Sequence, residues 1–234
     1  SKIHSQNVDV IIVSSGSIGL GKEFLKFRND KLSLEEKQAA AAIGQIQLMS
    51  FYRDFFKRFN LDVAQILLTV PDCNNRQRYL NSKNTIETLL KNKIVPIINE
   101  NDTIAVDEIK IGDNDRLAAR VSQMVSADLL VLFSDINGLY DKNPKTNKDA
   151  KLIHQVTKIT QEIENMASGS ISKVGTGGMV TKIKAAKMAA NSSCETIITS
   201  GLTENPLQKL LDGEKDYTIF KSKNNATKPR KSWL

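Results

Sequence analysis

The chain has 234 residues, with 33 Lys and Arg against 26 Asp and Glu, which gives a formal charge of +7 at pH 7. Hydrophobic residues make up 40% and charged residues 25%, a balance that excludes a disordered protein, and no apolar run approaches the roughly 20 residues that span a bilayer. Two cysteines and two histidines, none of them clustered, exclude a Cys/His zinc site and disfavour Ser-His-Asp or Cys-His catalysis. We therefore expect a folded, cytoplasmic protein.

Apolar runs rich in β-branched residues alternate with segments of helical period, which is typical of a parallel sheet with crossover helices. The expected strands are Val8–Ser14, Val63–Thr69, Ile94–Ile98, Asp128–Ser134, Thr196–Thr199 and Tyr217–Phe220. The expected helices are Leu34–Phe59 (with a candidate break at Gly44), Gln77–Asn92, Asp115–Ala127, Thr160–Ala167, Met179–Ala190 and Pro206–Leu211. Right-handed connections then predict an α/β protein, a three-layer α/β/α sandwich with a mainly parallel central sheet. Ala105–Ile111 alternates apolar and charged residues and predicts an exposed hairpin arm.

Two glycine-rich segments are candidates for binding an anion, because ligands of open parallel sheets bind beyond the carboxyl ends of the strands. Ser14–Gly21 follows the first strand; it either presents backbone N–H groups to an anion or lets a helix pack closely. Gly175–Lys182 opens a helix that carries Lys182 in its first turn, which is a phosphate-binding arrangement. The alternative for the second segment is a flexible loop with a solvated lysine.

Acidic and amide residues gather in three other loops. Asn99–Asp102 follows the strand at Ile94–Ile98, and Gly112–Asp115 begins the next helix; single residues there are often helix caps, but together they suit an ammonium group or a ligand that carries magnesium. Ser134–Pro144 contains an Asn-Gly turn and is either a tight turn or a nucleoside pocket. In the second case Leu139 and Tyr140 supply apolar contacts, and Asp135 or Asp141 reaches a hydroxyl.

Two anion-binding segments, a lysine at a helix start and an acidic pocket favour phosphoryl transfer over hydride transfer or hydrolysis. The scarcity of histidine fits this reaction if the acceptor is a carboxylate, which is already ionised at pH 7 and needs no general base. The protein then has to align donor and acceptor and neutralise charge on the transferred phosphoryl group.

The motifs VSSGSIGLG, KQAAAAIGQIQLM, VPIINENDT, EIKIGDND, ADLLVLFSDINGLYDKNP and VGTGGMVTK resemble, in order and spacing, those of the glutamate 5-kinase family in the amino acid kinase superfamily. The resemblance covers almost the whole chain. It implies transfer of phosphate from ATP to L-glutamate with Mg²⁺, as the first committed step of proline biosynthesis. It further implies a homodimer or homotetramer, feedback inhibition by proline, and a downstream glutamyl phosphate reductase as a functional partner.

The resemblance also implies roles for individual residues. Ser15 and Gly16 would contact glutamate, and its amino and carboxyl groups would be held by Asn99, Asp102, Asp113 and Asn114. Lys182 would stabilise the transferring phosphoryl group, and Asp115 would orient the catalytic lysines. ATP binding is expected of Ser134, Asp135, Tyr140, Asp141, Gly175, Thr176, Gly177, Gly178, Met179, Val180, Thr181 and Lys182.

The two ends of the chain depart from the family pattern. The family begins with a strand that bears a Lys-x-Gly-Ser/Thr motif, and none precedes Val8, so we expect residues 1–234 to be a single amino acid kinase domain that is incomplete at its N-terminus and lacks the family's first strand. Lys228–Trp233 resembles the junction to a small RNA-binding-like (PUA) domain, which we expect this short form to lack.

Two readings from other functional classes stay open. The missing N-terminal lysine is compatible with a non-catalytic sensor of nucleotide or proline. RNA binding through the basic tail is disfavoured, because the excess of positive charge is small and no aromatic residues are interleaved with it, and we expect neither a nucleic-acid nor a membrane partner.

Overall fold

Parallel strand pairs organise both units of the chain, Ser1–Lys110 and Ile111–Leu234. The computed structural model describes residues 8–25, 32–104, 114–168 and 178–222. Among these residues, four of the five strand pairings are parallel, which confirms the α/β class and the mainly parallel sheet. No helix of the described ranges is long and apolar enough to cross a membrane.

The first unit holds a three-stranded parallel sheet in the order β1-β3-β2. Its strands are β1 (Ile12–Val13), β2 (Val63–Leu68) and β3 (Val95–Glu100). Its helices are α1 (Ser17–Lys22), α2 (Leu34–Lys57), α3 (Val70–Asn74) and α4 (Arg76–Lys91). Sequence analysis missed α1 and α3, and it extended β1 too far in both directions.

The central strand β3 tolerates a proline because of where its neighbour begins. Val95 donates its backbone N–H to Asp62 on the β2 side, whereas the Ile98 carbonyl accepts from Ser14 on the β1 side. Because parallel residues alternate between neighbours, Pro96 faces the β1 side, and pairing with β1 starts only at Ile97. The missing N–H of Pro96 therefore costs no ladder bond to β1. Its neighbours Val95, Ile97 and Ile98 are all buried.

Helix α2 is continuous, so the predicted break at Gly44 is wrong. A capping box at Ser33 and Glu36 satisfies the first backbone N–H groups of the helix. Gly44 has a packing role instead: a Cβ atom there would lie 1.7 Å from the Ser17 carbonyl oxygen. The glycine lets the backbones of α1 and α2 touch.

The second unit holds a four-stranded sheet in the order β4-β6-β7-β5. Its strands are β4 (Leu129–Ser134), β5 (Gln155–Val156), β6 (Glu195–Ser200) and β7 (Tyr217–Phe220). Its helices are α5 (Asn114–Met124), α6 (Gln161–Ser168), α7 (Gly178–Ala190) and α8 (Pro206–Leu211). Only β6 and β7 pair antiparallel among the described strands. Sequence analysis missed β5, and the expected arm Ala105–Ile111 lies outside the described residues.

Candidate functional site

The first unit contains a cavity of about 270 Å³ where α2 and β2 meet the loop that follows β3. Gln45 of α2, Leu67 of β2 and Asp102 of the loop are among its lining residues. Its lining is therefore mixed: α2 and β2 contribute both apolar and polar side chains, and the end of the central strand with its following loop contributes polar groups. A small polar ligand with an apolar stem suits such a lining.

Asn99 and Asp102 both lie where the sequence predicts an acceptor pocket, at the carboxyl end of β3. Asn99 is only 1% exposed, and its side-chain amide donates to the Gln45 side-chain oxygen at 2.9 Å. Asp102 Oδ2 accepts a hydrogen bond from the Ser17 hydroxyl at 3.0 Å. Of these two residues, Asp102 lines the cavity directly, whereas Asn99 lies behind it.

The Asp102 carboxyl is partly buried, and a nearby cation would stabilise its ionised form. Burial raises the pKa of Asp102 above its usual value, and the hydrogen bond from Ser17 only partly opposes that rise. Within residues 8–25, 32–104, 114–168 and 178–222, Asp102 forms no ion pair. An ammonium group of a ligand can pair with this carboxyl group in its ionised form.

Ser15 and Gly16 are exposed at the start of α1, directly after the predicted first strand. Gly16 has a φ of 110°, a backbone conformation that favours glycine, and a Cβ atom there would meet nothing within 4 Å. Glycine is required at this position by the backbone turn and not by crowding. The rest of the glycine-rich segment Ser14–Gly21 is helical, because α1 begins at Ser17 and ends at Lys22.

The second unit brings Asp115, Thr181 and Lys182 together at the starts of two helices. The Lys182 ammonium lies 2.9 Å from Asp115 Oδ1 and 3.0 Å from Oδ2. The two side chains are only 13% and 15% exposed. The Thr181 hydroxyl lies 2.7 Å from Asp115 Oδ2 and can donate its proton to that carboxylate. Lys182 is therefore fixed by an ion pair with Asp115 and is not a solvated surface lysine.

The other residues of the Gly175–Lys182 segment are only partly described. Met179 is buried, so its side chain packs inside the unit, while Val180 is exposed on the other face of α7. Gly178 opens the helix. Gly175, Thr176 and Gly177 lie outside the described residues, as does Asp113 on the acceptor side. Asn114 is the first residue of α5, next to Asp115.

In the predicted nucleoside loop, several side chains already have protein partners. Asp135 pairs with Lys145 at 2.6 Å, and this hydrogen bond holds the pKa of Asp135 below its usual value. Asp141 Oδ1 accepts the backbone N–H of Lys151. Leu139 is 1% exposed, so the prediction that its side chain contacts a ligand is wrong.

The two remaining nucleoside-side candidates keep access to solvent. Ser134 ends β4, and its hydroxyl lies 3.3 Å from Asp135 Oδ1. Tyr140 forms an isolated bridge to Leu152, and burial raises the pKa of its phenol. Both sit at the edge of the sheet from which ligands of parallel sheets are usually bound.

Sequence analysis missed Ser17, Gln45 and the contact of Thr181 with Asp115. Ser17 belongs to the motif VSSGSIGLG and Gln45 to the helical motif KQAAAAIGQIQLM, and neither residue carries a local signal of a role in the site. The Thr181 contact joins residues 66 positions apart. No local pattern in the sequence reports such a contact.

Comparison with known proteins relates this chain to kinases, both by sequence and by fold. The profile of the "Amino acid kinase family" matches residues 1–200. Proteins named "Glutamate 5-kinase" from Bradyrhizobium diazoefficiens and Nitrobacter hamburgensis are each 49% identical to this chain, over 100% and 99% of its length. The chain spans only 62% and 61% of those relatives. A solved isopentenyl phosphate kinase covers 94% of this chain and 87% of its own, with 17% identity and a TM-score of 0.58, which is a likeness of fold.

Proposed function

Because the chain belongs to the amino acid kinase family, we propose that it transfers the γ-phosphoryl group of ATP to the γ-carboxylate of L-glutamate. The product is L-glutamyl 5-phosphate, the first intermediate of proline biosynthesis. The choice of glutamate rests on the relatives named for that activity, at 49% identity over the chain. The choice of phosphoryl transfer rests on one structural observation, the buried Lys182 held by Asp115 near the start of α7.

The reaction needs no proton transfer. A γ-carboxylate has an ordinary pKa near 4.3, so it is an anion at pH 7 and its oxygen is the nucleophile. A new bond forms between this oxygen and the γ-phosphorus, the bond from the γ-phosphorus to the bridging oxygen breaks, and ADP leaves with the electron pair. What the chain supplies is alignment of the two reactants and neutralisation of negative charge.

Lys182 is the group that we assign to the transferring phosphoryl oxygens. Its ammonium is fixed by both Asp115 oxygens, at 2.9 and 3.0 Å, so it needs little reorganisation when charge develops. It lies in the first turns of α7, where the positive end of the helix dipole adds to its effect. Backbone N–H groups at this helix start provide further donors to phosphate oxygens.

Mg²⁺ fits this scheme as an ion carried by the nucleotide. In the described part of the chain, no three His, Cys, Asp or Glu side chains converge on one point. Mg²⁺ commonly keeps several waters and binds through phosphates with one or two carboxylates, so such a cluster is not needed. When bound, the ion supplies neutralisation of phosphate charge.

On the acceptor side, we assign Asp102 to the α-ammonium group of glutamate. Asp102 lines the cavity, is partly buried, and has no cationic partner in the described ranges. An ion pair with an ammonium group would offset the free energy that the carboxylate loses when burial removes its solvent.

The test is glutamate-dependent consumption of ATP, with the acyl phosphate trapped by hydroxylamine as the hydroxamate. We expect hydroxamate only when ATP, Mg²⁺ and L-glutamate are all present. Aspartate, N-acetylglutamate and UMP serve as alternative acceptors at matched concentrations. Turnover of one of these without turnover of glutamate would remove the substrate assignment and leave the family assignment intact.

A further inference from the structure

Two glycines fix the position of Ser17 against helix α2. A Cβ atom at Gly44 would lie 1.7 Å from the Ser17 carbonyl oxygen, and one at Gly21 would lie 1.8 Å from the Ala40 carbonyl oxygen. The backbones of α1 and α2 are therefore in direct contact at two points. Ser17 itself is 3% exposed, so its side chain has no freedom to turn to solvent.

The hydrogen bonds around Ser17 have a defined direction. The backbone N–H of Glu100 donates to Asn99 Oδ1 at 2.9 Å, so the other end of the Asn99 amide must be the NH₂ group. That NH₂ donates to Gln45 Oε1 at 2.9 Å and to Ser17 Oγ at 3.4 Å. Because Ser17 Oγ accepts from Asn99, its own proton is directed to Asp102 Oδ2, 3.0 Å away.

The chain of hydrogen bonds from Gln45 through Asn99 and Ser17 to Asp102, here called the relay, fixes one oxygen of the Asp102 carboxylate. Oδ2 accepts a hydrogen bond from Ser17, and within the described residues no group donates to Oδ1. Among the described residues that line the cavity, Glu100 is the other ionisable one, and it is also acidic, so none of them contributes a positive charge. Within the described part of the chain, Asp102 therefore keeps one carboxylate oxygen that is available to a ligand.

We propose that Ser17 and Gln45 are positioning residues which, through Asn99, hold the Asp102 carboxylate oriented for the primary ammonium group of the acceptor. Gln45 anchors the Asn99 amide, Asn99 orients the Ser17 hydroxyl, and Ser17 binds the carboxylate. This inference rests on the proposed function, because it takes the acceptor to be an amino acid. It adds two residues that determine acceptor affinity without touching the transferred phosphoryl group.

The kinetic test uses Ser17→Ala and Gln45→Met, with Ser122→Ala as the matched control. Ser122 is also buried, and its hydroxyl donates to the Ala119 carbonyl in the other unit. We expect Ser17→Ala to raise the glutamate KM roughly tenfold or more, as loss of a hydrogen bond to a charged group should, with kcat little changed. Gln45→Met should give a smaller rise of the same kind, and Ser122→Ala none.

A double-mutant cycle distinguishes positioning from a general loss of structure. In an Asp102→Asn background, Ser17→Ala and Gln45→Met should each leave the glutamate KM within about twofold, because the group through which they act has changed. A rise as large as in the unmodified background would overturn the proposal. If Ser17→Ala does not fold, the same double-mutant cycle is measured with Gln45→Met alone. Gln45 is only half-buried, so this variant should fold.

A second readout does not depend on turnover. The carboxyl of Asp102, followed by ¹³C NMR in the ligand-free chain, should titrate at higher pH in Ser17→Ala, because the hydrogen bond that favours the ionised form is gone. If the unmodified chain does not phosphorylate glutamate, the proposed function fails, and this titration alone decides on the relay. An unchanged titration in Ser17→Ala would overturn it.

Discussion

Replacing Lys182 by methionine is the strongest test of the proposed phosphoryl-transfer site, because it removes one charge and keeps an unbranched side chain. Loss of one preorganised electrostatic group costs roughly 10²–10³ in kcat. The substitution also leaves Asp115, which is 15% exposed, without its cation. Removing one partner of a fully buried pair costs about 3–5 kcal/mol. This pair is only partly buried, and Asp115 keeps a hydrogen bond from Thr181, so we expect a cost at the lower end. For a chain of this size, about 3 kcal/mol corresponds to a fall in Tm of roughly 6–12 °C.

Two controls separate catalysis from stability. Lys187→Met removes a lysine from the same helix, but Lys187 pairs with Glu164 at the surface, with side chains 58% and 36% exposed. We expect a cost below about 1 kcal/mol and full activity for that variant. The double variant Lys182→Met with Asp115→Asn removes both buried charges, so it should regain much of the lost Tm while kcat stays low.

The assays are steady-state kinetics with saturating glutamate and thermal unfolding followed by circular dichroism. A kcat of Lys182→Met within threefold of the unmodified chain would show that Lys182 only stabilises the fold. Recovery of activity in the double variant would show the same, because stability would then account for the whole loss.

Three further predictions concern the first unit. Asp102→Ala should raise the glutamate KM by roughly 10- to 100-fold and change kcat little, because the ammonium contact exists in ground and transition states alike; a fall in kcat alone would contradict this. Because burial raises the pKa of Asp102, its carboxyl group should become protonated, and glutamate affinity should fall, at a higher pH than for an exposed aspartate. Values of the glutamate KM measured over a range of pH test this expectation. Gly44→Ala should lower Tm because its Cβ would meet backbone at 1.7 Å, whereas Gly19→Ala, with nothing within 4 Å, should leave Tm equal or higher; equal effects would refute the packing role of Gly44.

The regular elements of the fold were largely predictable, because a buried strand or helix face requires a local run or period of apolar residues. Five residues of β3, from Val95 to Asn99, are buried in succession, and four of them belong to the apolar run IVPII. β5, by contrast, has two residues and exists through its pairing with β7, so no local run marks it. α1 was missed because SIGLGK is rich in residues that disfavour helices, and its helix is stabilised by contact with α2.

The candidate acceptor site was predictable in part for a related reason. The rule that ligands bind beyond the carboxyl ends of parallel strands points to Asn99 and Asp102 from strand position alone. Ser17 and Gln45 escape that rule, because their hydrogen bonds join residues 85, 82 and 54 positions apart. Only the close approach of two helices at Gly21 and Gly44 brings these groups together, and a glycine in the sequence does not reveal its neighbour.

The two charged clusters differ in a way that bears on kinetics. Asp102 has no cation in the described part of the chain, so it attracts an ammonium group through net charge and should act on binding. Lys182 is already paired with Asp115, so the pair has no net charge to attract ATP in the ground state. In the proposed reaction, its fixed ammonium group stabilises the charge that develops on the phosphoryl oxygens, and little reorganisation is needed. Lys182→Met should therefore lower kcat far more than it raises the KM for ATP, whereas Asp102→Ala should do the reverse for glutamate.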